Sequence, residues 1–463
     1  MRRILPFLLL ALPCGVAQAQ EDGDSLRINI LDKAVFYDGY NSNIFDADKD
    51  DGILRHKNSI YAVKLTDDVL DRIGERLDLD LTLGPLCDNY DRIGNVDIAF
   101  VEKGAESYDY ESVKRIEVAR YITPFMNKNS KKIQSVPFFY NAPDVSLILR
   151  DKALRENYDL WLEAELFGVP YAANEQIKGC EGRNDVFTLT VDFLTNASPA
   201  SPVTTNVMVP IYAKKAEDHG NVNLNNYKEV ATDTLGTTTK TYHFNIPQDV
   251  TDSQITLILT NHGAAENGEE YVRRLHLVYY DGELIHSYTP GGVSCEPYRK
   301  YNTQGNGIYG WGSKSDEWWE EWNNWCPGAA VPTRRIPLGP QKAGDHSIMI
   351  RVPDAVFYNQ DGDFRPSLYF HGTTEGSMPA GMKTVSDDIA DVTFLKDGNV
   401  VRYSTSERVA AVTVRSFDGT LLYGEESPRE NTVSLAGYVP GAYIITVMTA
   451  DHRVKSLKTV IND

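Results

Sequence analysis

The stretch L-C-D-N-Y-D-R-I-G-N-V, Leu86 to Val96, lies between a strand-like run, Leu81 to Leu83, and an alternating run, Val96 to Val101. Period-two alternation marks strands, so the polar segment reads as a turn at the end of a sheet. That turn packs a cysteine, two carboxylates, an aromatic and an arginine into the six residues Cys87 to Arg92. Polar groups held at a strand end by a rigid sheet are where binding and catalytic groups tend to sit. By residue type alone, a disulfide-anchored surface turn with a salt bridge accounts for the same segment.

Working outward, residues from about Ser25 to Phe193 read mostly as strands. R-I-N-I-L, S-I-Y-A-V-K-L, V-D-I-A-F-V, V-S-L-I-L and F-T-L-T-V-D-F alternate or are β-branched, with Gly, Asp, Asn and Pro between them. Asp68 to Leu77 is the one short helix expected before the turn. D-A-D-K-D-D-G, Asp46 to Gly52, resembles a calcium loop, but its glycine falls one place late and no glutamate follows at the required spacing. A solvated acidic turn is the expectation there. Asn196 to Thr205, rich in small residues and prolines, reads as a linker. A second strand-rich block from about Val207 to His371 includes T-Y-H-F-N-I, Q-I-T-L-I-L-T, R-L-H-L-V-Y-Y-D-G-E-L-I-H-S-Y and H-S-I-M-I-R-V. Many short strands with turn signals at such spacings point to antiparallel sandwiches rather than a parallel sheet. Trp311, Trp318, Trp319, Trp322 and Trp325 cluster in this block, either as a core plug or as an aromatic platform for a ligand. A polar linker, Thr373 to Ser386, precedes a third block of small strands, Asp387 to Asp463.

With 463 residues the chain can hold two or three domains with their own cores. Its net charge of −19 argues against nucleic acid and anionic membrane as partners, since both call for basic surface. No apolar run of bilayer-spanning length follows the N-terminus. That terminus reads as a signal peptide, residues 1–19: Arg2 and Arg3 are the charged region, Ile4 to Leu12 the apolar one, and Ala17-Gln18-Ala19 the cleavage pattern. Pro13 counts against a lipoprotein attached at Cys14. Cys87, Cys180, Cys295 and Cys326 would remain after cleavage, and an even number in an oxidising compartment reads as two disulfides. Three pairings are open to them.

The end of the chain, with V-R-S-F-D-G-T-L-L, L-A-G-Y-V-P-G-A-Y-I-I-T-V and K-S-L-K-T-V-I-N-D, resembles the C-terminal sorting domain of the type IX secretion system. The resemblance implies a small β-sandwich, contact with that machinery, and a secreted or cell-surface location reached through the periplasm. A generic immunoglobulin-like appendage is the alternative.

Four further stretches line up with one family: C-D-N-Y-D-R (Cys87–Arg92), V-A-R-Y-I-T-P-F (Val118–Phe125), G-E-E-Y-V-R-R-L-H (Gly268–His276) and W-C-P-G-A-A-V-P-T-R (Trp325–Arg334). With T-N-H-G at Thr260 to Gly263 they resemble the bacterial peptide-N4-(N-acetyl-β-glucosaminyl)asparagine amidases, the peptide:N-glycosidase F family, over about residues 25 to 372. The resemblance implies an all-β fold of two adjacent eight-stranded antiparallel jelly-roll sandwiches, with the small C-terminal sandwich beyond them and an active site in the cleft between the first two. The expected domains are 20–195, 203–372 and 387–463.

Residue by residue, the resemblance makes Asp91 the essential carboxylate and Glu270 a second acid from the other domain. Glu165 is the third acid, with Glu163 competing for that place. Arg92, His262 and Trp325 match substrate-binding positions, and Tyr90 and Phe167 replace tryptophans there. Cys295 and Cys326 match a cysteine pair of the family, which leaves Cys87 to join Cys180. Trp322 stands where the family has an arginine, a charge that Arg273 or Arg274 could supply. Amide cleavage needs an activated water, oxyanion stabilisation and a proton for the departing amine. No Ser–His–Asp set, Cys–His pair or zinc string is evident, so paired acids are expected to do this work without metal or cofactor. The expected substrate is an N-glycosylated protein or peptide, and the expected state a monomer. An endoglycosidase also uses two carboxylates across a cleft, and tandem sandwiches also serve as lectins.

Overall fold

The computed structural model describes residues 25–41, 52–213, 238–262, 269–305, 307–310, 312–355, 363–378, 392–405, 408–416, 421–426, 428–449 and 454–461. The expected signal peptide (1–19), most of the acidic turn (46–51), Gly263, Trp311 and the side chain of Trp322 lie outside the described residues.

Alternation builds the first sandwich. Its described strands are β1 (Ser25–Tyr37), β2 (Ile53–Lys57), β3 (Ile60–Lys64), β4 (Leu77–Pro85), β5 (Ile93–Glu102), β6 (Lys114–Ile122), β7 (Val136–Asn141), β8 (Tyr158–Leu166) and β9 (Asp185–Asn196). They form antiparallel sheets in the orders β1-β9-β4-β7 and β2-β3-β8-β5-β6. On β4, Leu77, Leu79, Leu81 and Leu83 point inward; on β9, Phe187, Leu189, Val191 and Phe193 do the same, and all eight are fully buried. Each such side chain contributes about 1.5–3 kcal/mol of burial free energy.

Two expectations fail in this sandwich. V-S-L-I-L is helical, the end of Pro143–Leu149, because Pro143 opens the first turn and Val145, Ile148 and Leu149 bury one helical face. The helix expected over Asp68–Leu77 covers only Asp67–Leu70, capped by Thr66. The chain is then drawn onto β9: the Gly74 amide donates to Thr195 Oγ1 at 2.8 Å, and a Cβ on Gly74 would meet Asn196 at 2.7 Å.

The second sandwich holds β10 (Asn206–Tyr212), β11 (Thr239–Ile246), β12 (Asp252–His262), β13 (His276–Tyr280), β14 (Glu283–Tyr288), β15 (Arg334–Pro337), β16 (Gly344–Arg351) and β17 (Asp363–Thr373). Its sheets run β10-β17-β12-β15 and β11-β16-β13-β14. Ile255, Leu257, Val278, Ile348, Ile350, Phe364 and Phe370 fill the core between them. The tryptophan cluster divides: Trp319 is a fully buried plug beside Cys295 and Cys326, whereas Trp325 faces a cleft. A third sandwich pairs β18 (Val392–Asp397), β19 (Val400–Thr405) and β22 (Thr432–Ser434) in one sheet. The other orders β21 (Leu421–Glu426), β20 (Val409–Ser416), β23 (Gly441–Thr449) and β24 (Val454–Ile461). The disulfides are Cys87–Cys180 and Cys295–Cys326, one in each of the first two sandwiches.

The first two sandwiches are joined where two of the sequence stretches meet. Ile122 N–H donates to Ala329 O at 3.1 Å, Gly328 N–H to Ile122 O at 2.9 Å, and Val331 N–H to Arg120 O at 2.8 Å. The end of β6 therefore pairs with W-C-P-G-A-A-V-P. Beneath this, the buried Arg120 guanidinium binds Glu117 through Nε (2.7 Å) and Nη2 (2.6 Å). Its Nη1 reaches across to Thr260 Oγ1 (2.9 Å) and Arg365 O (2.6 Å). Ser367 Oγ donates to Glu117 from the far side.

Arg120→Ala leaves Glu117 buried without its cation. The variant is expected to lose about 3–5 kcal/mol, measured by chemical denaturation. A loss under about 1 kcal/mol, the scale of an exposed pair, would show that the junction does not depend on it.

Candidate active site

The C-D-N-Y-D-R turn links β4 to β5 and is fastened at three points. Cys87 is bonded to Cys180 and packs with Ala173 and Ile177. The fully buried Asp88 accepts from the Tyr90 amide (2.9 Å), the Val169 amide (2.7 Å) and Arg92 Nε (2.8 Å). Thr123, just past β6, accepts from the Arg92 amide at 2.7 Å and donates its hydroxyl to Tyr90 O at 3.0 Å. The Arg92 carbonyl in turn accepts from the Thr123 amide at 2.8 Å. One threonine thus holds the backbone on both sides of Asp91.

The second sandwich supplies the opposite wall. Asn324 Nδ2 lies 2.6, 3.1 and 3.3 Å from the carbonyl oxygens of Glu270, Glu269 and Val272, and so shapes the turn that carries Glu270. Glu269, the first acid of G-E-E-Y, is fully buried and makes a two-point pair with Arg274 at 2.9 and 3.0 Å. Trp325 donates its Nε1–H to Asn261 O at 2.8 Å and stacks on His262, with ring centres 5.5 Å apart. His262 Nε2 is 2.6 Å from Thr260 Oγ1, the same hydroxyl that Arg120 binds.

Between these walls is a cavity of about 280 Å³. Asp91, Arg92, Phe167, His262, Glu270 and Trp325, six residues singled out in the sequence, line it with Tyr40, Ile93, Ile122 and Arg365. Glu165 and Glu163 are not in its lining. Strand alternation sends Ala164 and Leu166 into the first core and both glutamates to the other face of β8. There Arg115 grips Glu163 at 2.6 and 3.1 Å, and Tyr110 covers Glu165, its hydroxyl 3.3 Å away. Tyr90 is also outside the lining: its ring lies under the Arg92 guanidinium (5.3 Å) and beside Phe125 (5.9 Å). Neither Arg273 nor Arg274 supplies the missing arginine, since Arg273 donates to Pro290 O and Glu320 O and Arg274 holds Glu269. The second cation of the cavity is Arg365, which pairs with Asp363 at 3.0–3.1 Å. Asp88, Thr123, Asn324, Arg365 and Tyr40 were not picked out from the sequence. Spacing marks none of them: Thr123 holds Tyr90 and Arg92, Asn324 holds the Glu269–Val272 turn, and Asp88 holds the Val169 amide, all distant in sequence.

Burial pushes the Asp91 carboxyl up to about 6, against the pull of the neighbouring Arg92 cation and with a further push from Asp88. Burial also opposes the charge on Arg92, but Asp88, Asp91 and Tyr171 together more than offset it and raise its pKa. The cavity therefore places a carboxyl that changes charge near neutrality beside a fixed cation. Such a pair suits proton transfer to and from a water or an amine.

The raised pKa also has a cost in stability. As pH rises above 3.8 the unfolded chain gives up the Asp91 proton first, so stability falls until about pH 6 and then stays lower. Asp91→Asn, which has no charge to bury, is expected to be more stable than the parent by about 2–3 kcal/mol at pH 7 and equal to it below pH 4. Denaturation at the two pH values measures this, and a variant less stable at pH 7 would contradict it.

Comparison with known proteins places the chain in a family. The family model described as peptide-N-glycosidase F, N terminal, matches residues 27–181, and the one described as peptide-N-glycosidase F, C terminal, matches residues 226–370. Among solved structures the chain is similar to PNGF-II, with a TM-score of 0.55 and 20% identity over 76% of this chain and 66% of that chain. It thus spans just under two thirds of that protein's length. It is also similar to PNGase F, a glycosylasparaginase from Flavobacterium meningosepticum, with a TM-score of 0.48 and 14% identity over 77% of this chain and 98% of that one. No curated protein sequence matches. The two family models follow one another in the expected order and together take in more than half of the sequence: the chain belongs to the peptide-N-glycosidase F family.

Proposed function

We propose that this protein is an exported amidase. It hydrolyses the bond between asparagine and the first N-acetylglucosamine of N-glycosylated proteins or peptides, releasing the whole glycan and leaving aspartate. The observation that carries this is the meeting of Asp91 and Glu270, one from each sandwich, in a cavity whose lining among the described residues includes no serine, threonine, cysteine or lysine. Membership of the family supports the same reading.

In the reaction a water held between Asp91 and Glu270 adds to the side-chain carbonyl carbon of the glycosylated asparagine. Asp91, as carboxylate, takes the proton from that water. The oxyanion forms in the field of Arg92 and Arg365, both held in place by their own aspartates. The carbon–nitrogen bond then breaks, and the Asp91 proton passes to the departing nitrogen. The glycosylamine leaves and loses ammonia in water. Phe167, Trp325 and Tyr40 offer ring faces to the apolar side of the sugar, with Tyr40 and Phe167 edge to face at 5.3 Å.

The third sandwich is proposed as a type IX sorting domain. Strands β20, β21, β23 and β24, which carry parts of the resembling stretches, form one sheet of it. Deleting residues 387–463 is expected to strand the protein in the periplasm. Delivery to the cell surface without them would overturn this assignment.

Oxygen labelling tests the bond that is cut. In heavy-oxygen water the peptide product is expected to be an aspartate carrying one label, with ammonia released. A label on the glycan, with one sugar still on asparagine, would establish an endoglycosidase instead. An unchanged glycopeptide that stays bound would establish a lectin. Asp91→Asn is expected to abolish turnover, and Glu270→Gln to remove most of it, at nearly unchanged substrate affinity. For the parent enzyme kcat/KM should rise with pH through about 6, as Asp91 loses its proton. A profile that falls through that range would give Asp91 the acid role.

A further inference from the structure

A second groove crosses the same junction. Among the described residues nine line it, all polar, four of them basic and none acidic. In a chain of net charge −19 this is a local reversal of sign. Arg299 pairs there with Glu296 at 2.6 and 2.9 Å. Lys131, Lys132 and Lys300 are exposed, and no ion pair holds them among the described residues. Lys300 is braced over the Tyr301 ring at 4.8 Å.

The groove is anchored to the candidate active site from both sides. From the first sandwich, the segment that begins at Ile122 in the cavity reaches Asn127 in the groove. Five residues of chain span at most about 18 Å. From the second sandwich, Trp325 in the cavity is followed by Cys326, whose disulfide to Cys295 fixes the turn Glu296–Tyr301. Cross-links stitch the two sides together: Phe125 N–H to Asn302 Oδ1 (2.9 Å), Asn127 N–H to Thr303 Oγ1 (3.0 Å) and Gln304 N–H to Phe125 O (2.9 Å). The groove at Asn127 therefore lies within about 18 Å of Ile122 in the cavity, on a floor held by these cross-links.

We infer that this groove binds carboxylates of the substrate and makes acidic N-glycopeptides the preferred class. Ammonium groups that no ion pair holds among the described residues, with amide and hydroxyl side chains around them, fit carboxylates carried by terminal acidic sugars or by acidic residues beside the glycosylated asparagine. A cationic groove near a cleft also raises the local concentration of such substrates. The inference rests on the amidase reading for its substrate.

Four synthetic glycopeptides test it, combining a neutral or acidic-terminated glycan with a neutral or acidic peptide. The parent enzyme is expected to show a lower KM for the acidic forms, and the arm that shows it identifies the source of the carboxylate. Lys131→Glu with Lys132→Glu should lower kcat/KM on that arm by about tenfold, the worth of one or two exposed ion pairs. It should leave the neutral glycopeptide unaffected, and about 0.5 M salt should erase the preference in the parent. Equal kcat/KM on acidic and neutral forms, or an equal loss on both in the variant, would overturn the inference. Failure of the amidase reading would look different, as no release from even the neutral glycopeptide. Affinity titration of the same four peptides against parent and variant then reads the groove on its own.

Discussion

The buried pair of Arg120 and Glu117 is the constraint on which the rest of the molecule depends. Neither partner is accessible to water, so each needs the other, and their remaining hydrogen-bonding capacity is met by Thr260, Ser367 and the Arg365 carbonyl on the neighbouring sandwich. An apolar contact would tolerate sliding, whereas a two-point guanidinium pair with further fixed acceptors does not. That rigidity passes directly to the cleft. Thr260 holds His262, Arg365 presents its side chain to the cavity, and Thr123 follows β6 by one residue and clamps the Asp91 turn.

The two acidic motifs solve the same problem in the same way. C-D-N-Y-D-R holds two carboxylates and one arginine, and G-E-E-Y-V-R-R two carboxylates and two arginines. In the first, buried Asp88 takes Arg92 and Asp91 faces the cavity; in the second, buried Glu269 takes Arg274 and Glu270 faces it. A fixed ion pair thus lies behind each cavity acid. At Asp91 the pair sets the local field, because Arg92 lowers and Asp88 raises the pKa that burial has already lifted.

The strands were legible because burial on one face forces alternation, as on β4 and β9. V-S-L-I-L misled because five residues fit either period, and the deciding signal was Pro143 just before it. That Asp91, Glu270 and Trp325 share one cavity was legible from their motifs. Glu165 was misplaced because β8 puts Glu163 and Glu165 on the face away from the core, where Tyr110 and Arg115 cover them. Arg365 could not be found in the sequence: its place follows from the register that sets it opposite Thr260 on β12. Register of that kind is a property of the assembled sheet rather than of local spacing.

The pairing of β6 with the W-C-P-G-A-A-V-P segment also bears on when the molecule can act. Residues 122 and 329 are more than two hundred positions apart, and the cavity closes only when both are in place. A chain interrupted after its first sandwich carries Asp91 and Arg92 but neither Glu270 nor Trp325. An unfinished or half-folded copy therefore lacks the assembled cavity, and the two acids meet only once the second sandwich has folded against the first.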